Sequence, residues 1–437
     1  MSTSTAKGEA SGRTQPTRRE ILQALGASSA LALAGVTPGA AAPPQAEAST
    51  PTANLQADAA KKWKGSGLGS LYPFVKQVQG KALSSLAYLK VRPKNLEAWK
   101  AEARARVFDL FLYRPAAFDP MPKVLERVDK GDYIREYLRF HTTPDIEVPA
   151  YFLIPKRAKF PVPAVVALHC HGGFYYWGKE KIVETENEHP ALVEYRRAYY
   201  DGLSYPATLA RNGYAVIVID MFYFGERRLI LDSDLEQGIN DRNKQEPTET
   251  INKLNGRNGG AEGYFLRNML MSGFTWAGVL AWDDIRTVDY LQTRPEVDPH
   301  RIACVGLSVG GYRTNFLAGL DPRIKAACVV GWMTSWRDLV PGFEPNTIIS
   351  GVTPGLLKYL DYPDVGSLTM PNPLMAVHGW RDGLFSTQGV LSAFSTLRQC
   401  YEAIGKPERF TTYTYDGPHK FPARAQQLML EWFNRWV

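Results

Sequence analysis

Cysteine and histidine are scarce in this chain, with four and seven among 437 residues. So few cysteines over such a length exclude the disulfide framework of a small secreted scaffold. Cys170, Cys304 and Cys328 lie in or beside apolar runs that read as buried strands. Cys400, at the end of an expected helix with no evident partner, reads as a free thiol. Long apolar runs are missing too: the stretch Ala24 to Val36 is too short and too rich in alanine and glycine to span a membrane, which takes about 20 residues. The net charge of +7 is mild and dispersed, without basic residues interleaved with aromatics along one element, so nucleic-acid binding is excluded. No internal repeat is visible. A composition of 45% hydrophobic and 22% charged residues excludes disorder and fibre, and the length allows one large domain with additions or two domains.

The N-terminus is polar and basic, then reads Thr17-Arg18-Arg19-Glu20-Ile21-Leu22, then Ala24 to Val36, then small residues and prolines. Paired arginines ahead of a modest apolar stretch resemble a twin-arginine signal peptide, expected over 1–48, with Ala40-Ala41-Ala42 and Ala46-Glu47-Ala48 as alternative cleavage sites. This predicts a periplasmic or extracellular protein. Residues 49–123 read as a helical extension, because Trp99, Ala103, Val107 and Leu110 share one face of a helix from Leu96 to Leu112.

From residue 124 strand signals take over. Val124 to Val128, Tyr133 to His141 and Val148 to Ile154 predict an antiparallel edge. Six more strands alternate with helical stretches: Ala164 to His169, Ala215 to Asp220, Ile302 to Gly306, Ala326 to Gly331, Leu374 to His378 and Phe410 to Tyr415. That alternation predicts an α/β fold with a mostly parallel sheet covered by helices on both faces. Helices are clearest at Trp282 to Gln292 and Arg424 to Trp436. Residues 226–275, rich in charge, asparagine and glycine, are too long for a plain crossover and read as an inserted lid.

The strand Ile302 to Gly306 runs into Gly306-Leu307-Ser308-Val309-Gly310 and then into helix-compatible sequence. A serine hydroxyl is a poor nucleophile unless a base takes its proton and the backbone presents its oxygen. Small residues on either side permit a strained strand-to-helix turn that does the latter, with the helix N-terminus aimed at a developing oxyanion. With the loop HCHGGFYYWGKE (169–180), the stretch Asp220 to Arg227, and VDPHRIACVGLSVGGY leading to LDPRIKAACVVGW, this turn resembles the α/β-hydrolase superfamily. Within it the resemblance is to the bacterial acetyl xylan esterase and dienelactone-hydrolase-like group, over residues 124–437. Dienelactone hydrolases carry a cysteine nucleophile, so serine at 308 turns the resemblance towards ester hydrolysis.

The resemblance implies an α/β-hydrolase fold and the order serine, acid, histidine. His419, between the last strand and the last helix, fits the base. His141, His169 and His171 come too early, His189 lies in a charged loop, His300 precedes the serine strand, and His378 closes an apolar strand. Asp382, just past the strand Leu374 to His378, fits the acid, with Asp338 one strand earlier as the alternative. The oxyanion hole would use the Val309 N–H and a second from Gly173 or Phe174. Tyr175, Tyr176 and Trp177 could stack on a sugar face, and Asp220 and Arg227 could form a site wall or a structural ion pair. The expected substrate is a small-molecule or glycan ester, with no metal and no organic cofactor. A serine exopeptidase on the same fold is one alternative. Another class, a nucleotide hydrolase, is raised by Gly173 to Lys179, which matches Gly-x4-Gly-Lys; Glu180, where a magnesium-binding serine or threonine belongs, argues against it. Acyl group, alcohol and oligomeric state are not readable from these residues.

Overall fold

The computed structural model describes residues 67–81, 84–239, 244–339 and 348–437. The expected signal peptide therefore lies outside the described residues. Nine strands form one sheet: β1 (Lys123–Asp129), β2 (Tyr133–Thr143), β3 (Ile146–Pro155), β4 (Val162–Leu168), β5 (Ala215–Ile219), β6 (Val297–Leu307), β7 (Ile324–Val330), β8 (Leu374–Gly379) and β9 (Phe410–Tyr415). Their order across the sheet is β1-β2-β3-β5-β4-β6-β7-β8-β9. The first three strands and the β3–β5 junction are antiparallel, and from β5 to β9 every pairing is parallel. This is the mostly parallel α/β architecture expected from the alternation of strands and helices.

Side chains of a strand point to opposite faces in turn, so each parallel strand feeds two cores. In β4, Ala164, Val166 and Leu168 enter one apolar cluster with Tyr290, Phe316 and Phe111, while Val165 and Ala167 enter a second with Tyr205, Phe421 and Phe433. The helix Leu96–Phe111 starts where the Asn95 side chain accepts the Ala98 N–H at 3.0 Å, and stops where Leu112 turns left-handed. It buries Trp99, Ala103, Val107 and Phe111 at steps of four; Leu110, expected on that stripe, is only partly buried. The helix Trp276–Gln292 begins six residues earlier than the expected Trp282, with Thr275 as its cap. It is bound to the helix Val309–Leu320 by Arg313, whose Nε donates to Asp284 at 2.9 Å with both side chains buried.

The junction between β6 and that second helix is closed by glycines. A Cβ on Gly310 would stand 2.1 Å from the Leu168 carbonyl oxygen, and one on Gly311 would stand 2.6 Å from the Val330 oxygen. The helix thus rests directly on backbone of the two strands flanking β6. Gly310→Ala should lower stability by about 1–3 kcal/mol through overpacking, read by urea denaturation; an unchanged midpoint would contradict this packing.

Candidate active site

Ser308 follows β6 and caps the helix Val309–Leu320 with φ 62° and ψ −123°. A non-glycine residue held there stores roughly 1–3 kcal/mol of backbone strain and persists only because its surroundings over-determine it. Those surroundings are explicit: the Ser308 N–H donates to Val330 O at 2.9 Å, extending the β6–β7 ladder, and its carbonyl accepts the Tyr312 N–H at 2.9 Å, opening the helix. The Ser308 side chain makes no capping hydrogen bond. The hydroxyl is therefore not spent on the helix terminus, although serine is a favoured cap.

His419 and Asp382 arrive from the ends of β9 and β8. The Tyr415 hydroxyl lies 2.9 and 2.6 Å from the carbonyls of Pro418 and Lys420, bracketing His419, and the Arg381 N–H donates to Gly417 O at 2.9 Å. Asp382 Oδ2 is 2.6 Å from His419 Nδ1, and its Oδ1 accepts the Leu384 N–H at 3.0 Å. Burial pushes the Asp382 carboxyl up, but the His419 ring, by charge and hydrogen bond, and the Leu384 N–H outweigh it and hold the carboxyl below its ordinary value. An ionised carboxylate can only accept, so Nδ1 carries the proton, and in the neutral ring the lone pair is on Nε2. That Nε2 is buried and has no hydrogen-bond partner among the described residues.

Gly331 lies between this ring and the end of the serine's strand. It follows Val330, the residue that accepts the Ser308 N–H, and its φ is +58°. A Cβ there would stand 3.1 Å from His419 Cε1 and 3.1 Å from Leu307 Cδ1. A bare position beside the strand end thus leaves the imidazole its space. Four other histidines have structural work: His169 accepts the Met221 N–H, His171 the Gly173 N–H, His189 caps a helix, and His378 is buried against Trp380 and Phe385. Asp338 makes no side-chain bond to a histidine among the described residues; its backbone carbonyl accepts the Ser386 hydroxyl at 2.9 Å.

The loop after β4 departs from expectation. Val309 N–H stands at a helix N-terminus, where it has no intrahelical acceptor. Gly173 N–H, however, donates to His171 Nδ1 at 2.9 Å and Phe174 N–H to His171 O at 3.2 Å, so both expected second donors are already engaged within the loop. The aromatic run is committed largely to packing and to a separate cavity. Tyr175 is buried and stacked on Phe224 at 4.7 Å, and Phe174 on Tyr195 at 5.4 Å. Tyr176 and Trp177 border a cavity of about 350 Å³ with Arg228, Glu186, Glu226 and Gln245, and none of Ser308, Asp382 and His419 lines it. The physical reason is that neighbouring aromatics bury one another when partners such as Phe224 and Tyr195 are at hand.

Asp220 is a buried ion partner rather than a wall, 2.9 Å from Lys179, while Arg227 pairs with Asp283 at 2.8 Å. Lys179 is fully buried among Asp220, Glu180 and Glu226, so the Gly-x4-Gly-Lys match offers no phosphate cradle. Sequence reasoning missed Glu262, on the 24-residue helix Thr248–Met271 within the expected lid, whose carboxylate meets His171 Nε2 at 2.9 Å. It missed Gly331 and Lys181 as well. Nothing in the local pattern flags Glu262, whereas a glycine directly after an apolar strand could have singled out Gly331.

Residues 67–245 match the Abhydrolase family, and residues 253–437, which carry Ser308, Asp382 and His419, match the Prolyl oligopeptidase family. The chain belongs to the α/β-hydrolase superfamily. It is 26% identical over 348 residues to YtaP, a candidate hydrolase of Bacillus subtilis (strain 168), covering 77% of this chain and 100% of that one. Two solved structures share the fold. A candidate acetyl xylan esterase from Bacteroides fragilis is 18% identical with a TM-score of 0.60, over 79% of this chain and 82% of that one. A glucuronoyl esterase from Solibacter usitatus is 13% identical with a TM-score of 0.54, over 80% and 97%.

If Asp382 is the acid, Asp382→Asn should lower kcat on a short acyl ester by about 10³–10⁴-fold, and Asp338→Asn should leave it within about threefold. Equal losses in steady-state assays would reject the assignment.

Proposed function

We propose that this chain is a serine esterase acting on carboxylic esters of carbohydrates or plant-derived compounds through an acyl-enzyme. The observation that carries the reading is His419, fixed through Nδ1 by Asp382, left with a bare Nε2 and packed against Gly331, whose neighbour Val330 accepts the N–H of a serine whose hydroxyl does not cap its helix. Nε2 takes the proton of Ser308 Oγ as that oxygen forms a bond to the ester carbonyl carbon. Asp382 then faces an imidazolium and stabilises it. Negative charge gathers on the carbonyl oxygen, where the Val309 N–H and the positive end of the helix oppose it. Collapse breaks the bond to the alcohol, which leaves with the proton from Nε2. Water, deprotonated by the same nitrogen, releases the acid and restores Ser308.

The ester reading draws support from relatives described as acetyl xylan and glucuronoyl esterases. One observation favours a second reading, a serine peptidase: the match of residues 253–437 to the Prolyl oligopeptidase family. Against it, Glu262, an acidic side chain that the long helix brings to the loop after β4, is already paired with His171 and so is not free to anchor a peptide amine.

Ser308→Ala should reduce turnover of p-nitrophenyl acetate by about 10⁴-fold or more with an unchanged circular-dichroism spectrum. The wild type should prefer acetylated xylo-oligosaccharides or glucuronoyl esters to aminoacyl p-nitroanilides. Retained activity in the alanine variant would reject the serine mechanism, and amide cleavage without ester preference would favour the peptidase.

A further inference from the structure

An oxyanion hole needs two N–H groups, and the loop after β4 has both expected donors, Gly173 and Phe174, turned inward. What holds that loop is a buried ammonium the mechanism above does not use. Lys181 is fully buried, and its Nζ donates to Cys170 O at 3.1 Å and to His171 O at 2.9 Å. It also lies 4.4 Å from the centre of the Phe224 ring.

Each of those carbonyls has a second donor. His169 Nε2 accepts the Met221 N–H, so its Nδ1 carries the proton and donates to Cys170 O at 3.0 Å. His171 O also accepts the Phe174 N–H at 3.2 Å. The orientation of both peptide planes is thereby set. In a trans peptide the carbonyl of one residue and the N–H of the next point in opposite directions. With the carbonyls of Cys170 and His171 drawn to Lys181, the N–H groups of His171 and Gly172 face the other way.

The Gly172 N–H has no hydrogen-bond partner among the described residues, unlike those of Gly173 and Phe174. Gly172 has φ +57°, and a Cβ on it would collide with Tyr195 Oη at 2.1 Å, so only glycine fits. The loop and the helix N-terminus share one environment, since Tyr175, Phe224 and Val309 belong to the same apolar cluster.

We propose that Lys181 is a positioning residue of the oxyanion site: by holding the Cys170 and His171 carbonyls it turns the Gly172 N–H towards Val309, where the two N–H groups receive the carbonyl oxygen. Burial pushes the Lys181 ammonium down to about 7, against the pull of Cys170, Asp220 and Glu180. A neutral amine still has two N–H bonds for two carbonyls, so the clamp does not depend on the charge.

This inference rests on the serine acyl-transfer reading, and its test separates the two. The full chain and its Lys181→Met and Ser308→Ala variants are assayed with p-nitrophenyl acetate and with an aryl trifluoromethyl ketone. The ketone accepts Ser308 Oγ at its carbonyl carbon and leaves an oxyanion in the hole. Lys181→Met should lose kcat by about 10²-fold, the cost of one oxyanion donor, with KM within about threefold, and the ketone should bind more weakly by a similar factor. A role confined to stability would lower the melting temperature and leave both ratios near one; that outcome overturns the proposal. Lys181→Gln, whose amide N–H groups sit one atom short of the lysine nitrogen, is read by the same two ratios if the methionine variant does not fold. Wild-type turnover that survives Ser308→Ala would instead overturn the serine reading itself.

Discussion

Everything at this site depends on backbone meeting backbone without side chains between. Ser308 holds its left-handed conformation because the helix after it lies against the carbonyls of Leu168 and Val330, an approach that a methyl group on Gly310 or Gly311 would block. The strain at Ser308 is offset by the strand and helix hydrogen bonds on either side of it. Glycine therefore acts here through close contact, and the buried Arg313–Asp284 pair keeps the same helix in register from behind. Shifting that helix by a fraction of an ångström would move the serine, the first N–H groups and the helix dipole together.

The partners of Ser308 are made rigid by a different means. Asp382 and His419 sit on loops, but each loop is tied down by backbone: Leu384 N–H to the carboxylate, Arg381 N–H to Gly417 O, and the Tyr415 hydroxyl between two carbonyls around His419. The imidazole's tautomer then follows from the carboxylate it meets. On the opposite side of the serine, the loop after β4 is fixed by the buried Lys181 and by hydrogen bonds of His169 and His171 rather than by repetitive structure. One end of the parallel sheet thus gathers three kinds of support, each suited to loops whose positions matter more than their sequence.

Much of this was legible in the residues. All nine expected strands formed, because period-two alternation and continuous apolar runs report directly which faces are buried. The placement of Ser308, Asp382 and His419 at strand ends was legible because the order of strands and helices fixes it. The packing of the aromatic run was not legible, because a sequence does not say which aromatics will find partners; Phe224, 49 residues from Tyr175, and Tyr195, 21 residues from Phe174, supplied them. Engagement of the Gly173 and Phe174 N–H groups, and the pairing of Glu262 with His171, are likewise long-range or geometric facts. Nothing in the local sequence marks Lys181 as interior; two carbonyls and two aromatic rings take it there.

The central claim is that Ser308 is the nucleophile, and covalent capture tests it most directly. An alkyl fluorophosphonate, whose fluoride is displaced by an activated serine oxygen, should add to the wild-type chain at one site. Peptide mass spectrometry should place the mass increase on Ser308 and find it absent when His419 is replaced by alanine. Labelling at another residue, or none in a folded protein, would contradict the account.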